Sequence, residues 1–323
     1  MSSDFLPDKR IAQFVQALAA HGEVHGPANG QGGMTVLRRI DEPAELTLDY
    51  RRTRLPPKKY LLQYEETILR FTTTAGYQPP SLPPQPLILL GLHPCDLAAI
   101  NYLDTIFLTP EPDNLYAARR ASLILGGVSC EPDEYCFCGA ENYGLRPVCD
   151  FFMEKAGDGY RLLACSNKGQ DLLAALKYDA VRHSCEEICQ GRERYAFPEI
   201  APDPTSYYNS PLWEKFASRC LSCGACSAVC PTCFCFAVTE RPLLEENGAV
   251  RTRQWDNCLF KQHGKVAGGF NFRNTRQERL HYRFIHKFYG LGPHAGIASC
   301  TGCGRCRDNC PVEIDLLEIL MEG

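Results

Sequence analysis

Residues 220–231 of the chain read Cys220-Leu-Ser-Cys223-Gly-Ala-Cys226-Ser-Ala-Val-Cys230-Pro231. The same spacing returns at residues 300–311, as Cys300-Thr-Gly-Cys303-Gly-Arg-Cys306-Arg-Asp-Asn-Cys310-Pro311. Each stretch has the pattern C-x2-C-x2-C-x3-C-P, which is typical of ferredoxin-type 4Fe–4S sites. Three closely spaced thiolates can reach three corners of a cubane, and the fourth cysteine lies one helical turn beyond the third. The repeat therefore predicts two 4Fe–4S clusters.

The fourth cysteine of each run is expected to serve the other run. In two-cluster ferredoxins this residue binds the cluster of the opposite run, so we predict two crossed ligand sets. The first cluster is assigned to Cys220, Cys223, Cys226 and Cys310, and the second to Cys300, Cys303, Cys306 and Cys230. Such crossing would tie distant segments together, so each cluster would support the fold as well as carry electrons. Structural zinc is the weaker interpretation, because it prefers separated cysteine pairs.

Cysteine is the outlier in an otherwise ordinary composition. The chain has 19 cysteines among 323 residues, 45% hydrophobic and 22% charged residues, and a formal net charge of −4. An odd number of cysteines excludes complete internal pairing, and a chain of this length needs no disulfide scaffold. The start of the sequence is polar, and no apolar run approaches the roughly 20 residues of a membrane span. We expect a cytoplasmic protein that binds neither membrane nor nucleic acid.

The residues before the two runs predict strands and helices in alternation. A helix is expected from Ile11 toward Gly22, because apolar residues recur there at helical spacing. Apolar runs at 87–92 and 121–128 predict buried strands, with a helix over 96–108 between them. Strand, helix and strand in this order predict a right-handed crossover and parallel pairing.

Two proline-rich stretches divide the chain. Residues 79–86 predict a connector and residues 202–211 a domain boundary. We expect an α+β protein, with a mixed α/β domain at 1–205 followed by a mainly helical, two-cluster ferredoxin-like domain at 206–323. The helix-compatible stretch at 278–289, inside the insert between the two runs, favours this helical form.

Further cysteines lie outside the two runs. One set follows the predicted strands and comprises Cys95, Cys130, Cys136 and Cys138. These four thiols would bind a third 4Fe–4S cluster. The alternative is that some of them are ordinary buried thiols, as free cysteines often are. A rival set is one thiol short of four and would instead tune or shield a ferredoxin cluster: Cys233, Cys235 and Cys258. The spacing of the last four is irregular and favours ordinary thiols over a metal site: Cys149, Cys165, Cys185 and Cys189.

Polar residues near these cysteines have two interpretations each. His93 would donate to a cluster sulfur or lie on the surface, and Asp96 is placed to cap the following helix. Arg119 and Arg120 would balance cluster charge or be solvated. Residues 251–287 carry nine Lys and Arg against two acidic residues. They form either a solvated face or a surface that balances anionic clusters or docks a partner.

Motifs for nucleotide binding and hydrolysis are missing from the sequence. It contains no G-x-G-x-x-G after a strand, no P-loop, no G-x-S-x-G, no H-E-x-x-H and no haem-attachment motif. We therefore assign no catalytic residue and expect neither FAD nor NAD in this chain. The sequence favours a protein that passes electrons, and a flavin in another chain is implied if the donor is NAD(P)H.

Across these motifs the chain resembles the beta subunits of NAD(P)H-linked NiFe hydrogenases (sulfhydrogenases) and the corresponding iron–sulfur subunits of anaerobic sulfite reductases. The resemblance covers residues 87–315 and rests on HPCDLAAI at 93–100, the SC…CFC segment at 129–138, RCLSCGACSAVCPTCFCF at 219–236, RTRQWDNC at 251–258, AGGFNFR at 267–273, ERLHYRFIHK at 278–287 and CTGCGRCRDNCP at 300–311. His93 departs from the family pattern. The third cluster gains support, because its four cysteines fall on these motifs.

The resemblance implies an iron–sulfur electron-transfer subunit of a hetero-oligomer. One partner would hold FAD and oxidise NAD(P)H, and the other would be a NiFe hydrogenase or a sirohaem sulfite reductase. The alternative is a reductase subunit whose own cluster or thiols contact a sulfur or disulfide substrate. A quinone-linked dicluster subunit and a zinc-bound adaptor are weaker alternatives, and the sequence does not name the terminal acceptor.

Overall fold

The computed structural model describes residues 4–80, 86–138, 140–141, 145–185, 188, 195–196 and 198–322. Its strands are β1 (Phe5–Pro7), β2 (Glu23–Asn29), β3 (Thr35–Arg39), β4 (Glu65–Thr72), β5 (Gly76–Gln78), β6 (Leu87–Leu92), β7 (Leu123–Val128), β8 (Ala140–Glu141), β9 (Phe151–Ala156), β10 (Gly159–Ala164), β11 (Val181–Arg182), β12 (Tyr195–Ala196), β13 (Phe236–Leu243) and β14 (Gly248–Trp255). Its α-helices are α1 (Ile11–Ala19), α2 (Lys58–Leu61), α3 (Pro94–Phe107), α4 (Asn114–Ser122), α5 (Asn167–Ala175), α6 (Leu212–Arg219), α7 (Ala225–Ala228), α8 (Arg276–Phe288), α9 (Leu291–His294), α10 (Arg305–Asp308) and α11 (Leu317–Glu322).

An eight-stranded mixed sheet forms the first layer. Its order is β1-β10-β9-β7-β6-β2-β3, with β11 beside β10. The four central strands β9, β7, β6 and β2 run parallel. Strand β3 is antiparallel to β2, and β10 is antiparallel to β9 and β1 but parallel to β11. The parallel pairing predicted for the two apolar runs is confirmed, because Leu87 lies opposite Leu123 and Leu89 opposite Leu125. The predicted helices correspond to α1 and α3.

Both faces of this sheet are covered, because side chains alternate along each strand. Ile88 and Leu90 of β6 join the core beneath α1, whereas Leu89 joins the core beneath α3. Burial on both faces explains why the sequence of β6 is an unbroken apolar run. The proline-rich connector at 79–86, which precedes β6, lies largely outside the described residues.

The prediction of an α+β chain with a mainly helical second domain is wrong. The protein is α/β, and residues 236–255 form the hairpin β13–β14 within a four-stranded sheet ordered β13-β14-β4-β5. Strand β14 pairs with β4, so that Gln254 lies opposite Glu65. The helical character of 278–289 does not extend to the rest of the insert. The hairpin is stabilised by a strand far away in the sequence, and local periodicity does not report that partner.

A third core holds the helices of the cysteine-run region together. Trp213 and Phe216 of α6 pack against Phe284 of α8, and all three side chains are almost fully buried. Helix α8 matches the helix predicted at 278–289, and its first turn is closed by a capping box between Thr275 and Glu278. Within the part of the chain that the structure describes, no helix is long and apolar enough to cross a membrane.

Candidate metal centres

The two cysteine runs fold in the same way. In each, a glycine in the left-handed conformation precedes a one-turn helix: Gly224 (φ 76°) before α7 and Gly304 (φ 71°) before α10. A Cβ at Gly224 would lie 2.3 Å from Nδ2 of Asn257, and one at Gly304 would lie 2.7 Å from the carbonyl carbon of Tyr135. Both positions therefore require glycine for conformation and for space. The sequence repeat is a structural repeat.

Each crossed ligand set lines one cavity. The first cavity is lined by Cys220, Cys223, Cys226 and Cys310, and Cys306 also reaches its wall. The second cavity is lined by Cys300, Cys303, Cys306 and Cys230. The structure thus brings together the residues of each predicted set, including the cysteine from the opposite run.

The surroundings of these thiols suit iron–sulfur clusters. The remaining walls are largely apolar and include Leu259 and Leu280 in the first cavity and Phe137 and Phe288 in the second. Backbone N–H groups also point at cysteine sulfurs in the first cavity. Ser222 N donates to Cys220 Sγ over 3.4 Å and Ile314 N donates to Cys310 Sγ over 3.3 Å. Four soft thiol donors, an apolar shell and N–H···S contacts are the features that bind and tune such clusters.

Two buried cations of α8 face the cavities. Arg283 lines both cavities and donates to Ser227 Oγ (3.1 Å) and to the carbonyl oxygen of Cys226 (2.9 Å). Lys287 lines the second cavity and donates to Thr232 Oγ1 over 2.7 Å. Burying charged groups is costly without compensation, so these cations require the thiolates as much as the thiolates require them.

The pKa values of this region reflect the same balance. Burial raises the pKa of Cys230, but Lys287 and Arg283 outweigh it and bring the pKa to about 7. Burial lowers the pKa of Lys287, yet the nearby Cys230 and Cys233 raise it above its ordinary value. Of the two interpretations of the basic stretch at 251–287, balance of anionic clusters therefore applies to Arg283 and Lys287.

The cysteines of the predicted third set lie around the second run. Hydrogen bonds link the Cys138 thiol to those of Cys136 and Cys95, and the bond between Cys138 and Cys136 lowers the pKa of Cys136 to about 7. Cys95 follows β6 and Cys130 follows β7, so both lie beyond the carboxyl ends of neighbouring parallel strands. Cys130 lies on the wall of an adjoining cleft that also contains Tyr50.

This segment packs directly on the loop that holds the second cavity. Phe137 N donates to the carbonyl oxygen of Gly302 over 2.9 Å. The Cys136 thiol contacts the carbonyl oxygen of Cys303 at 3.8 Å. Gly302 has a φ of 64°, and a Cβ there would lie 2.5 Å from the nitrogen of Cys138. The third set and the second cavity are therefore immediate neighbours.

Cys233, Cys235 and Cys258 also meet in space. The Cys235 thiol forms hydrogen bonds with the thiols of Cys233 and Cys258. The hydrogen bond with Cys235 lowers the pKa of Cys258 to about 6. Lys58, a buried residue of α2, donates to the carbonyl oxygens of Cys233 (3.1 Å) and Ser227 (3.3 Å). These three thiols lie against the first run, and no local pattern in the sequence indicates that Lys58 reaches them.

Several polar residues have roles that the sequence did not predict. Asp96 does not cap α3; it forms a buried ion pair with Arg305, and His93 occupies the N-cap position. His93 is buried and stacks on Tyr50, with ring centroids 4.0 Å apart. Arg119 pairs with Glu66 and Arg120 with Asp104, so these arginines form structural ion pairs instead of the predicted solvated or cluster-facing positions.

Comparison with known proteins agrees with this geometry. Residues 219–314 match the family model described as a 4Fe-4S dicluster domain. The whole chain is 32% identical, over 337 aligned positions and 97% of the relative's length, to sulfhydrogenase 2 subunit beta of Pyrococcus furiosus. A weaker relative is the F420-dependent formate dehydrogenase subunit beta of Methanocaldococcus jannaschii, 25% identical over 48% of this chain and 36% of that protein. No solved structure gives a significant match.

Two cavities lined by cysteines and a dicluster domain define an iron–sulfur electron-transfer subunit with two 4Fe–4S clusters. More particularly, the chain belongs to the family of the sulfhydrogenase beta subunit.

Proposed function

We propose that this chain relays single electrons between a flavin-bearing subunit that oxidises NAD(P)H and a catalytic subunit, either a NiFe hydrogenase or a sirohaem sulfite reductase. Membership of the sulfhydrogenase beta family supports this role. A flavin is needed because an iron–sulfur cluster takes one electron at a time and does not accept a hydride. We assign the flavin to another chain because this sequence has no dinucleotide-binding motif.

The proposed ligands follow the two cavities. Cys220, Cys223, Cys226 and Cys310 would hold the first cluster, and Cys300, Cys303, Cys306 and Cys230 the second. When bound, each cluster supplies reversible one-electron chemistry. The protein's own contribution is to exclude water with apolar walls and to compensate negative charge with Arg283 and Lys287. An electron that arrives adds negative charge, and these buried cations stabilise it.

A third cluster extends the relay in this proposal. Its ligands would be Cys95, Cys136, Cys138 and Cys130, next to the loop of the second run. The observation that carries the proposal is that the three cysteine sites adjoin one another in a row. Cys306 and Arg283 line both cavities, and the segment of Cys136 and Phe137 touches the loop of the second. Such a row of neighbouring centres suits a relay with partner contacts at its two ends.

The test compares the anaerobically purified complex with the isolated full-length chain. Electron paramagnetic resonance (EPR) monitors reduction of the clusters. We expect NADH or NADPH to reduce them only when the flavin-bearing partner is present. Dithionite should reduce them in both samples. Oxidation of NAD(P)H by the isolated chain would contradict the proposal. Turnover of sulfite, polysulfide or disulfide by the isolated chain with an artificial donor would favour the reductase alternative instead.

A further inference from the structure

Three cysteines that the relay does not use converge at one place in the large sheet. Cys149 precedes β9, Cys165 follows β10 and Cys185 follows β11. Strands β9 and β10 are antiparallel, and β10 and β11 are parallel. The start of β9 and the ends of β10 and β11 therefore lie side by side, at the same end of the strands. The register places Ala164 opposite both Phe151 and Arg182. The irregular spacing in the sequence therefore becomes a compact triad in the fold.

The distances within this triad distinguish it from the other thiol groups. The sulfur atoms of Cys149 and Cys185 lie 3.7 Å apart, and all three sulfurs lie within 4.8 Å of one another. A single tetrahedral ion with Zn–S bonds of about 2.3 Å holds two sulfurs about 3.8 Å apart. A cubane holds its thiolates farther apart, since each binds a different iron atom. Among the described residues, this is the one group of three potential ligand atoms that lie so close together.

We propose that Cys149, Cys165 and Cys185 bind a single zinc ion, with a water molecule in the fourth position of the tetrahedron. Zinc is chosen because three soft thiolates favour it over oxygen-preferring ions such as Mg²⁺ or Ca²⁺. Cys189 lies outside the described residues and is not part of the proposed site.

The surroundings of the triad are built to hold the thiols in place. Cys165 N donates to the carbonyl oxygen of Asp150 over 2.8 Å. The Asp150 carboxylate in turn accepts from Leu125 N (2.8 Å) and from Ser166 Oγ (2.7 Å). Cys149 is buried, and the triad packs against the apolar core that lies beneath α3. Ligands fixed by their neighbours in this way are typical of metal sites.

The position of this site separates it from the relay. Cys95 and Cys130 lie beyond the carboxyl ends of β6 and β7, whereas Cys149 lies at the amino end of β9, which runs parallel to β7. The zinc ion would therefore lie at the opposite end of the strands from the relay. It would hold β9, β10 and β11 together and would take no part in electron transfer, since zinc has no accessible redox step.

The experiment is elemental analysis of the anaerobically purified full chain. We expect about one zinc per chain in addition to the iron. Cys149→Ser, Cys165→Ser and Cys185→Ser should each lose most of the zinc while keeping the wild-type iron content, and Ser184→Ala should keep both. Absence of zinc from the wild type even after incubation with zinc, or loss of iron in the three variants, would overturn the proposal.

A second measurement applies if the variants fail to fold. Co²⁺ added to wild-type chain stripped of zinc should produce the intense thiolate-to-cobalt absorption of a tetrahedral site. Zinc should abolish that absorption. If the triad instead carries a Cys149–Cys185 disulfide, mass spectrometry of the anaerobic protein will detect the bond and no cobalt absorption will develop, which would also overturn the proposal.

Discussion

Arg305 and Asp96 form a bidentate ion pair in the interior, with both N–O distances 2.8 Å and both side chains fully buried. Arg305 belongs to the second cysteine run, and Asp96 directly follows Cys95 at the start of α3. The remaining guanidinium hydrogen bonds go to Thr53, at 2.9 Å to its carbonyl oxygen and 3.0 Å to its hydroxyl. One arginine thus joins the second run to the segment of the proposed third cluster.

Removing one partner of this pair should destabilise the protein strongly. Asp96→Asn removes the carboxylate that pairs with the buried guanidinium, and breaking a buried pair in this way costs about 3–5 kcal/mol of unfolding free energy. The measurement is urea unfolding of the holoprotein. Asp41→Asn is the matched control, because its pair with Arg39 is largely exposed and contributes about 0–1 kcal/mol. Equal effects of the two substitutions would show that the buried pair has no special role.

Lys287 should set the reduction potential of the second cluster. Lys287→Met removes a buried positive charge that stabilises the reduced state, so we expect the potential to fall by about 60 mV or more, a tenfold change in the one-electron equilibrium. The measurement is an EPR-monitored redox titration. Lys261→Met, at an exposed position, serves as the control. A potential that rises or stays unchanged in Lys287→Met would contradict the assignment.

The iron content of the chain tests whether a third cluster is present. Three cubanes predict about twelve iron atoms per chain and two predict about eight. Cys136→Ala should therefore lower the iron content by about four and remove one EPR signal, leaving the signals of the two ferredoxin-type clusters. Cys165→Ala is the matched control, since that thiol belongs to the triad and its loss should not change the iron content. An unchanged iron content in Cys136→Ala would remove Cys136 from the ligand set.

His286 should make the fold sensitive to acid. Burial, followed by the repulsion from Lys287, lowers the pKa of His286 to about 4, from an ordinary value of 6.5. As pH falls below about 6.5, the unfolded chain takes up a proton that the folded protein does not, so stability decreases until the pH approaches 4. His286→Gln should flatten this decrease between about pH 7 and pH 5, as measured by thermal unfolding. His21→Gln, at an exposed position, should not.

The features that the sequence predicted are those encoded locally. The two runs carry their spacing within twelve residues each, and β6, α3 and β7 carry their hydrophobic pattern within one segment. The division into domains at 1–205 and 206–323 remains a prediction, although β4 and β14, from opposite sides of it, pair in one sheet.

The features that the sequence did not predict depend on residues far apart in the chain. Arg305 and Asp96 are separated by 209 positions, and Lys58 lies 175 positions from Cys233. The Cys149–Cys165–Cys185 triad forms only where three strand ends meet. No local periodicity reports such contacts, since they arise from packing between elements and not from the propensity of any one of them.

The exchange of fourth cysteines between the two runs is tested most directly by one set of spectra. EPR spectra of the reduced Cys220→Ala, Cys310→Ala, Cys230→Ala and Cys300→Ala variants reveal which cluster each substitution removes. Crossed ligation predicts that Cys310→Ala loses the same signal as Cys220→Ala, and Cys230→Ala the same signal as Cys300→Ala. If Cys310→Ala instead matches Cys300→Ala, each run binds its own cluster and the ligand sets assigned to the two cavities are wrong.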